Sequence, residues 1–200
     1  MKIGVLALQG AFIEHIKILQ NLGVEAVEVR LSGDLEGLDG LIIPGGESTT
    51  IGKLADIYGL MEPLRAFAAN KPVWGTCAGM IFMAKEIGQD QPLLGVMDIV
   101  VERNAFGRQV DSFETDLDVT VFENGSGSSR PFPAVFIRAP RLVDTRGETE
   151  ILSTLADGTA VAAQEGRWLV TAFHPELTGD DRFHRYFIQL VEQNERGETP

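Results

Sequence analysis

Twice in the first half of the chain a short apolar run ends in a glycine-containing turn that opens an amphipathic segment of helical period, and this recurrence restricts the fold more than any other feature. In "LDGLIIPGGESTTIGKLADIYG" the apolar run predicts a strand over 41–43, a turn over 44–46, and a helical pattern from Thr49 carrying Ile51, Leu54, Ala55 and Tyr58. "KPVWGTCAGMIFMAKEIG" repeats the order, with a strand over 72–74 and a helix aligning Met80, Met83, Ala84 and Ile87. Upstream, a strand over 2–8 is followed by a helix over 12–22 with Phe12, Ile16, Leu19 and Leu22 on one face, and a strand over 25–29 comes next. Strands separated by helices pair in parallel, and such a sheet must be covered on both faces. The class is therefore α/β: three layers around a mostly parallel central sheet, with helices on both faces.

The pattern changes after Gly88. Strands over 93–101, 113–122 and 134–137 follow one another without helices, which predicts an antiparallel extension. Strands over 151–155, 160–164 and 168–172, with short turns at "ADG" and "EGR", return toward the sheet. A final helix is expected from about Gly179, capped by Thr178, burying Phe183, Phe187, Leu190 and Val191 and leaving a polar tail over 194–200. No internal repeat or linker divides the chain, so 1–200 reads as one domain. Two hundred residues with 44% hydrophobic content suffice for a single core.

The chemistry concentrates in two short stretches, "GTCAG" over 75–79 and "FHPE" over 173–176. Cys77 is the only cysteine, so no intramolecular disulfide explains it. It sits at a strand-to-helix turn with Gly75 and Gly79 two positions away on either side, the G-x-nucleophile-x-G spacing that permits a tight, strained turn. The N-terminus of the following helix favours thiolate over thiol. A lone intracellular cysteine is more often a small buried hydrophobe, and the glycine spacing is what outweighs that reading. In "FHPE", Pro175 cannot continue a helix, so His174 and Glu176 are expected on extended backbone pointing to one side, where the carboxylate selects the imidazole tautomer. By itself an H-P-E triplet is more often a loop with a packed histidine; beside the cysteine turn it completes a Cys77, His174, Glu176 triad. The glycines of the 44–46 turn let backbone N–H groups approach a ligand, which suits an oxyanion hole formed by Gly46 and Ala78. The residues argue against a phosphate-binding P-loop there, since its pattern needs glycine at Glu47 and a hydroxyl at Leu54. Ser48 as a helix cap is compatible with either role.

The ordered set "PGGES", "GTCAG" and "FHPE" resembles the triad-type glutamine amidotransferases. More narrowly, "GVLALQGAFIEH", "PGGESTTI", "GTCAGMI", "ERNAFGRQVDSFE", "FIRAP" and "FHPELT" are similar to the glutaminase subunits of pyridoxal 5′-phosphate synthases, over nearly the whole chain from about Lys2 to Val191. The least family-like stretch is "ENGSGSSRPFP" over 123–133. The resemblance implies a flavodoxin-like fold and release of ammonia from L-glutamine, with no cofactor. It also implies delivery of that ammonia to a separate synthase (lyase) subunit in a multi-subunit complex that builds pyridoxal 5′-phosphate. It further implies that Gly46, Glu47 and Ser48 hold glutamine, largely through backbone groups, with Arg103, Ile137 and Arg138 closing the pocket. Arg103 suits a charge-assisted hydrogen bond, and for Ile137 the side chain is expected in the core with only its backbone functional. Two other readings stay open: an amidotransferase serving another acceptor, against which the "RNAFGRQVDSF" and "FIRAP" segments speak, and a silent relative, against which the intact triad speaks.

Composition narrows the partners. A net charge of −12 argues against nucleic acid or an anionic membrane surface. No apolar run is long enough for a membrane span, and the N-terminus enters a strand where a signal peptide would have a cleavage site, so a cytoplasmic location is expected. Three scattered histidines and one cysteine offer no metal-ligand spacing. His15 and His184 belong to no triad-like spacing and are expected to be structural or solvated, and Met80 and Met83 to be core.

Overall fold

Of the 200 residues, the structure, a computed structural model, describes 1–103, 112–123 and 130–198. The first half of the chain runs β1 (Lys2–Leu6), α1 (Phe12–Asn21), β2 (Glu25–Val29), β3 (Gly40–Ile43), α2 (Ser48–Ile57), α3 (Met61–Ala68), β4 (Val73–Thr76) and α4 (Ala78–Met83). Then come β5 (Ala84–Glu86), β6 (Met97–Glu102), β7 (Ser112–Leu117), α5 (Thr120–Glu123), β8 (Phe132–Ile137) and β9 (Arg141–Thr145). The chain finishes with β10 (Glu150–Thr154), β11 (Ala160–Glu165), β12 (Trp168–Thr171) and α6 (Arg182–Glu195). Ten of these strands form one sheet in the order β2-β1-β3-β4-β12-β11-β9-β6-β5, with β10 on β11. Pairing is parallel from β2 across to β12. It turns antiparallel through β11, β9 and β6. The parallel part has the flavodoxin-like strand order, with its reversal point between β1 and β3.

Side-chain alternation along β4 sorts the helices. Trp74 and Thr76 face one side, where Trp74 meets His15 of α1 and Phe187 of α6 and Thr76 meets His15. Gly75 faces the other, where a Cβ would lie 2.6 Å from the Gly79 carbonyl carbon of α4. The sheet is therefore covered on both faces, as a parallel sheet requires. The predicted α6 stripe is in place, with Phe183, Phe187, Leu190 and Val191 all buried. Met80 and Met83 are core as well.

The antiparallel region departs from the sequence expectation in four places. The expected helix through 80–88 stops at Met83, and Ala84–Glu86 pairs with β6, because an available sheet edge offers the backbone better partners than a solvated last turn. The expected strand over 113–122 ends at Leu117, and Thr120–Glu123 is a single helical turn. The first part of the expected 93–101 strand is loop, while β9 had no sequence counterpart. β7 and β8 stand apart as their own antiparallel pair. The inner face of β8 seats Phe132 and Phe136 against Phe173, at ring separations of 5.8 and 5.5 Å, which fixes the end of this hairpin beside the carboxyl end of β12. Most of "ERNAFGRQVDSFE" and the glycine-serine part of "ENGSGSSRPFP" lie outside the described residues.

Candidate active site

Four neighbouring parallel strands, β1, β3, β4 and β12, deliver their carboxyl ends to one edge of the sheet, and each ends in a residue with chemistry: Gln9, the Gly45–Gly46 turn, Cys77 and His174. Their adjacency follows from register, since β4 pairs with β12 through Thr76 and Thr171 and with β3 through Gly75 and Ile43. The Cys77 N–H donates to the Thr171 carbonyl at 2.8 Å, and the His174 N–H donates to the Val135 carbonyl of β8 at 2.8 Å. Both side chains thus hang from backbone pinned by the sheet and the hairpin.

Cys77 has φ 47° and ψ −102°, close to the mirror image of ordinary extended backbone and sterically costly for any residue with a Cβ. The turn is this tight because α4 is pressed onto β3: a Cβ on Gly79 would overlap the Ile43 carbonyl oxygen, so no other residue fits. Facing the sulfur, Gly45 is equally constrained, since a Cβ there would overlap the His174 ring and lie 3.3 Å from the Cys77 Cβ. The sulfur stands 3.8 Å from the Ile137 carbonyl. Cys77, His174 and Glu176 are all buried.

His174 Nδ1 lies 2.6 Å from Glu176 Oε1. Burial alone would lower the His174 pKa, but its hydrogen bonds and attraction to Cys77 and Glu176 outweigh that and raise it to about 10. The shift favours the protonated form of the ring that faces the sulfur. The backbone expected around this pair is corrected in one respect. Glu176 lies in a 3₁₀ turn, Pro175–Leu177, and not on extended chain, because proline suits the first position of a helical turn, where its missing N–H costs nothing. The turn still brings carboxylate and imidazole together.

A cleft of about 430 Å³ opens over the sulfur, a size typical of small-molecule sites. It is lined by every site residue expected from the sequence except Glu176, which sits behind His174: Gly46, Glu47, Ser48, Cys77, Ala78, Arg103, Ile137, Arg138 and His174. Glu47, not Ser48, caps α2, its carboxylate accepting from the Thr49 and Thr50 N–H groups. Partial burial works against the charge on Glu47, yet these bonds and the Thr50 hydroxyl bring its pKa down to about 2. Arg103 is braced by Thr49 Oγ1 at 2.9 Å, Gln91 Oε1 at 2.8 Å and Glu47 Oε1 at 3.0 Å. Arg138 has φ 43°, which turns the chain sharply at the rim. The Ser48 hydroxyl is buried with no hydrogen-bond partner among the described residues.

Sequence reasoning missed Gln9, Gly10, Ala11, Ile81 and Leu177, which also line the cleft. Gln9 accepts from the Glu47 N–H at 2.7 Å and so shapes the glycine turn. Its signal was topological: it follows β1, at the point where the strand order reverses. His15 and His184 are not solvated; both are fully buried, and His15 approaches Glu176. At the other end of the triad segment, α6 starts at Arg182 and not near Gly179, because Thr178 spends its hydroxyl on the Pro175 carbonyl while Asp180 receives the Arg182 N–H.

The family model of the SNO glutamine amidotransferase family matches residues 5–193. The chain belongs to that family. It is 59% identical over 196 residues to a pyridoxal 5′-phosphate synthase subunit PdxT of Dehalococcoides mccartyi, covering 96% of this chain and 97% of the relative. A PdxT of Herpetosiphon aurantiacus is 57% identical, over 95% of this chain and all of the relative. A crystal structure of a glutamine amidotransferase superposes with TM-score 0.87 at 50% identity, over 95% of this chain and 98% of that one. A putative GMP synthase protein from Thermoplasma acidophilum, 20% identical with TM-score 0.71 over 98% of this chain and 96% of that one, shares the fold. Among the described residues of this amidotransferase family member, no helix is long and apolar enough to cross a membrane, and no group of three or more His, Cys, Asp and Glu side chains is placed to hold a metal ion.

Proposed function

We propose that this chain hydrolyses L-glutamine to L-glutamate and ammonia, and that it passes the ammonia to a pyridoxal 5′-phosphate synthase subunit in the cytoplasm. The observation that carries the reading is the 2.6 Å His174–Glu176 pair standing behind a strained, cleft-facing Cys77. The names of the relatives support the acceptor, and a catalytic thiol that must stay free suits a reducing compartment.

In this reading the sulfur of Cys77, with its proton on His174, attacks the carboxamide carbon of glutamine. The tetrahedral oxyanion is met by the N–H groups of Gly46 and Ala78. His174 returns its proton to the departing nitrogen, ammonia leaves, and a γ-glutamyl thioester remains on Cys77. Water, deprotonated by His174, then releases glutamate and regenerates the thiol. Glu176 holds the ring so that Nε2 faces the sulfur, and it stabilises the imidazolium. The backbone of Gly46, Glu47 and Ser48, with Arg103, Ile137 and Arg138, holds the substrate around this chemistry. Arg103 is suited to the substrate carboxylate because three braces fix its guanidinium before binding.

The test is glutamate release from glutamine by the purified chain mixed with a synthase subunit, compared with Cys77→Ala. Glutamate from the wild type only, with ammonium salts restoring pyridoxal 5′-phosphate formation by the variant complex, supports the reading. Equal glutamate release by Cys77→Ala overturns the triad, and failure of ammonium to bypass it overturns the ammonia-donor role.

A further inference from the structure

Behind the Glu176 carboxylate lies a pair of imidazoles that the mechanism above does not use. His15 on α1 and His184 on α6 are fully buried, with His15 Nδ1 and His184 Nε2 2.9 Å apart. Trp74 fixes both rings edge-on, at centroid distances of 5.6 and 5.0 Å. The other nitrogen of His15, Nε2, is 3.4 Å from Glu176 Oε2 and 3.4 Å from Thr76 Oγ1. Glu176 spends Oε1 on His174, and among the described residues its buried Oε2 makes no hydrogen bond, with His15 Nε2 facing it at 3.4 Å.

Burial holds both rings neutral: the pKa of His15 is pushed well below 6.5, chiefly by desolvation and then by His184 and His174, and desolvation brings His184 down to about 4. A neutral imidazole has one N–H and one lone pair, so the direction of the His15–His184 hydrogen bond decides both tautomers. If His15 Nδ1 were the donor, the proton of His184 would sit on Nδ1, which is buried without a partner among the described residues, and His15 would turn a lone pair on the carboxylate. Both consequences are unfavourable. In the reverse direction His184 Nε2–H donates to His15 Nδ1, and only an acceptor is left unpaired, the cheaper orphan. The proton of His15 then lies on Nε2, directed between Thr76 and Glu176 Oε2.

From this geometry we propose that His15 is a positioning residue for the triad: its Nε2–H, oriented by His184 and Trp74, engages Glu176 Oε2 and so aims Oε1 at His174. The proposal rests on the glutaminase reading above. A neutral donor suits the task, since it satisfies the buried oxygen without cancelling the negative charge that the His174 imidazolium needs. A cation at that position would compete with His174 for the same carboxylate. At 3.4 Å the separation is longer than an ordinary hydrogen bond, so the contact is the attraction of an N–H dipole for a buried carboxylate oxygen that nothing else among the described residues satisfies.

The test compares His15→Leu, His15→Gln and His15→Asn in the full chain assayed with its synthase subunit. Gln can place an N–H where Nε2 stood. Asn keeps a polar group near His184 but is too short to reach Glu176, and Leu offers no donor. His15→Leu and His15→Asn are expected to lower kcat for glutamate release by about tenfold to a hundredfold, with KM within about twofold, while His15→Gln stays within about fivefold of wild type. The His174 titration, followed by ¹⁵N NMR without glutamine, is expected to shift downward in the Leu and Asn variants and to recover in Gln. In a Glu176→Gln background, His15→Asn should cost no further activity. If His15→Leu fails to fold, the Gln and Asn pair decides: equal activity and equal His174 titration in those two would overturn the proposal, as would a full additional loss in the Glu176→Gln background. A wild-type chain that released no glutamate would refute the glutaminase reading instead, and the NMR comparison would still show whether His15 governs His174.

Discussion

Replacing Cys77 by glycine and by alanine separates backbone strain from chemistry. Both variants lose the sulfur, so the difference between them is one buried methyl group and the freedom of the backbone. At an ordinary buried site Ala→Gly costs about 0.8 kcal/mol for the lost carbon and about 0.7 kcal/mol for the added entropy of the unfolded chain, roughly 1.5 kcal/mol together. At φ 47° and ψ −102°, however, alanine retains the clash of its Cβ and glycine does not. Relief of a conformation this far from the allowed regions returns about 2 kcal/mol. Cys77→Gly is therefore expected to be as stable as Cys77→Ala, or more stable by about 0.5 kcal/mol. The neighbouring Ala78 is buried at the start of α4, and Ala78→Gly supplies the control with its ordinary penalty. Urea unfolding of the three variants measures the differences, and in thermal melts the control should fall by about 3–6 °C for a domain of this size. A Cys77→Gly variant less stable than Cys77→Ala by the same 1.5 kcal/mol as the control would refute the claim that the fold holds the nucleophile in a strained turn.

Three further outcomes are expected. Glu176→Gln should lower kcat by about tenfold to a thousandfold and remain more active than His174→Ala, because the amide can hold the imidazole without stabilising its charge; steady-state kinetics indistinguishable from wild type would demote Glu176. His174 should titrate near pH 10 by ¹⁵N NMR, and in Cys77→Ala its pKa should fall, since hydrogen bonding to Cys77 is the strongest influence raising it; an unchanged titration would show that the ring does not face the sulfur. Gly45→Ala should abolish glutamate release, because the added carbon overlaps the His174 ring, and retention of most activity would mean that the 44–46 turn can withdraw from the histidine.

Most of the β-strand and helix pattern of the parallel half was legible because each unit is local. Apolar runs of β4 length followed by glycine and a helical stripe determine strand, turn and helix within about twenty residues, whatever lies elsewhere. The Cys77 turn was readable for the same reason: Gly75 and Gly79 fit where backbones touch, and that contact is set by one strand-to-helix junction. The α6 stripe followed from its period. The antiparallel half was less legible. Ala84–Glu86 and Arg141–Thr145 are strands because β6 presents an edge to both, and no local signal records which edge is free.

The sequence by itself determined that a thiol would stand on a strained turn at the carboxyl end of a strand, and that an imidazole and a carboxylate two residues apart would be available to it. These are properties of residue size, backbone sterics and short-range period. Only the tertiary structure decided that β12 lies beside β4, which sets His174 next to Cys77 through the Thr76–Thr171 pairing. The fold likewise buried His184 against His15 and His15 against Glu176, bringing together side chains from the first helix and the last. Strand order and helix packing are settled by burying apolar faces over the whole chain, and an imidazole reveals nothing of its partners until that burial has removed water from around it.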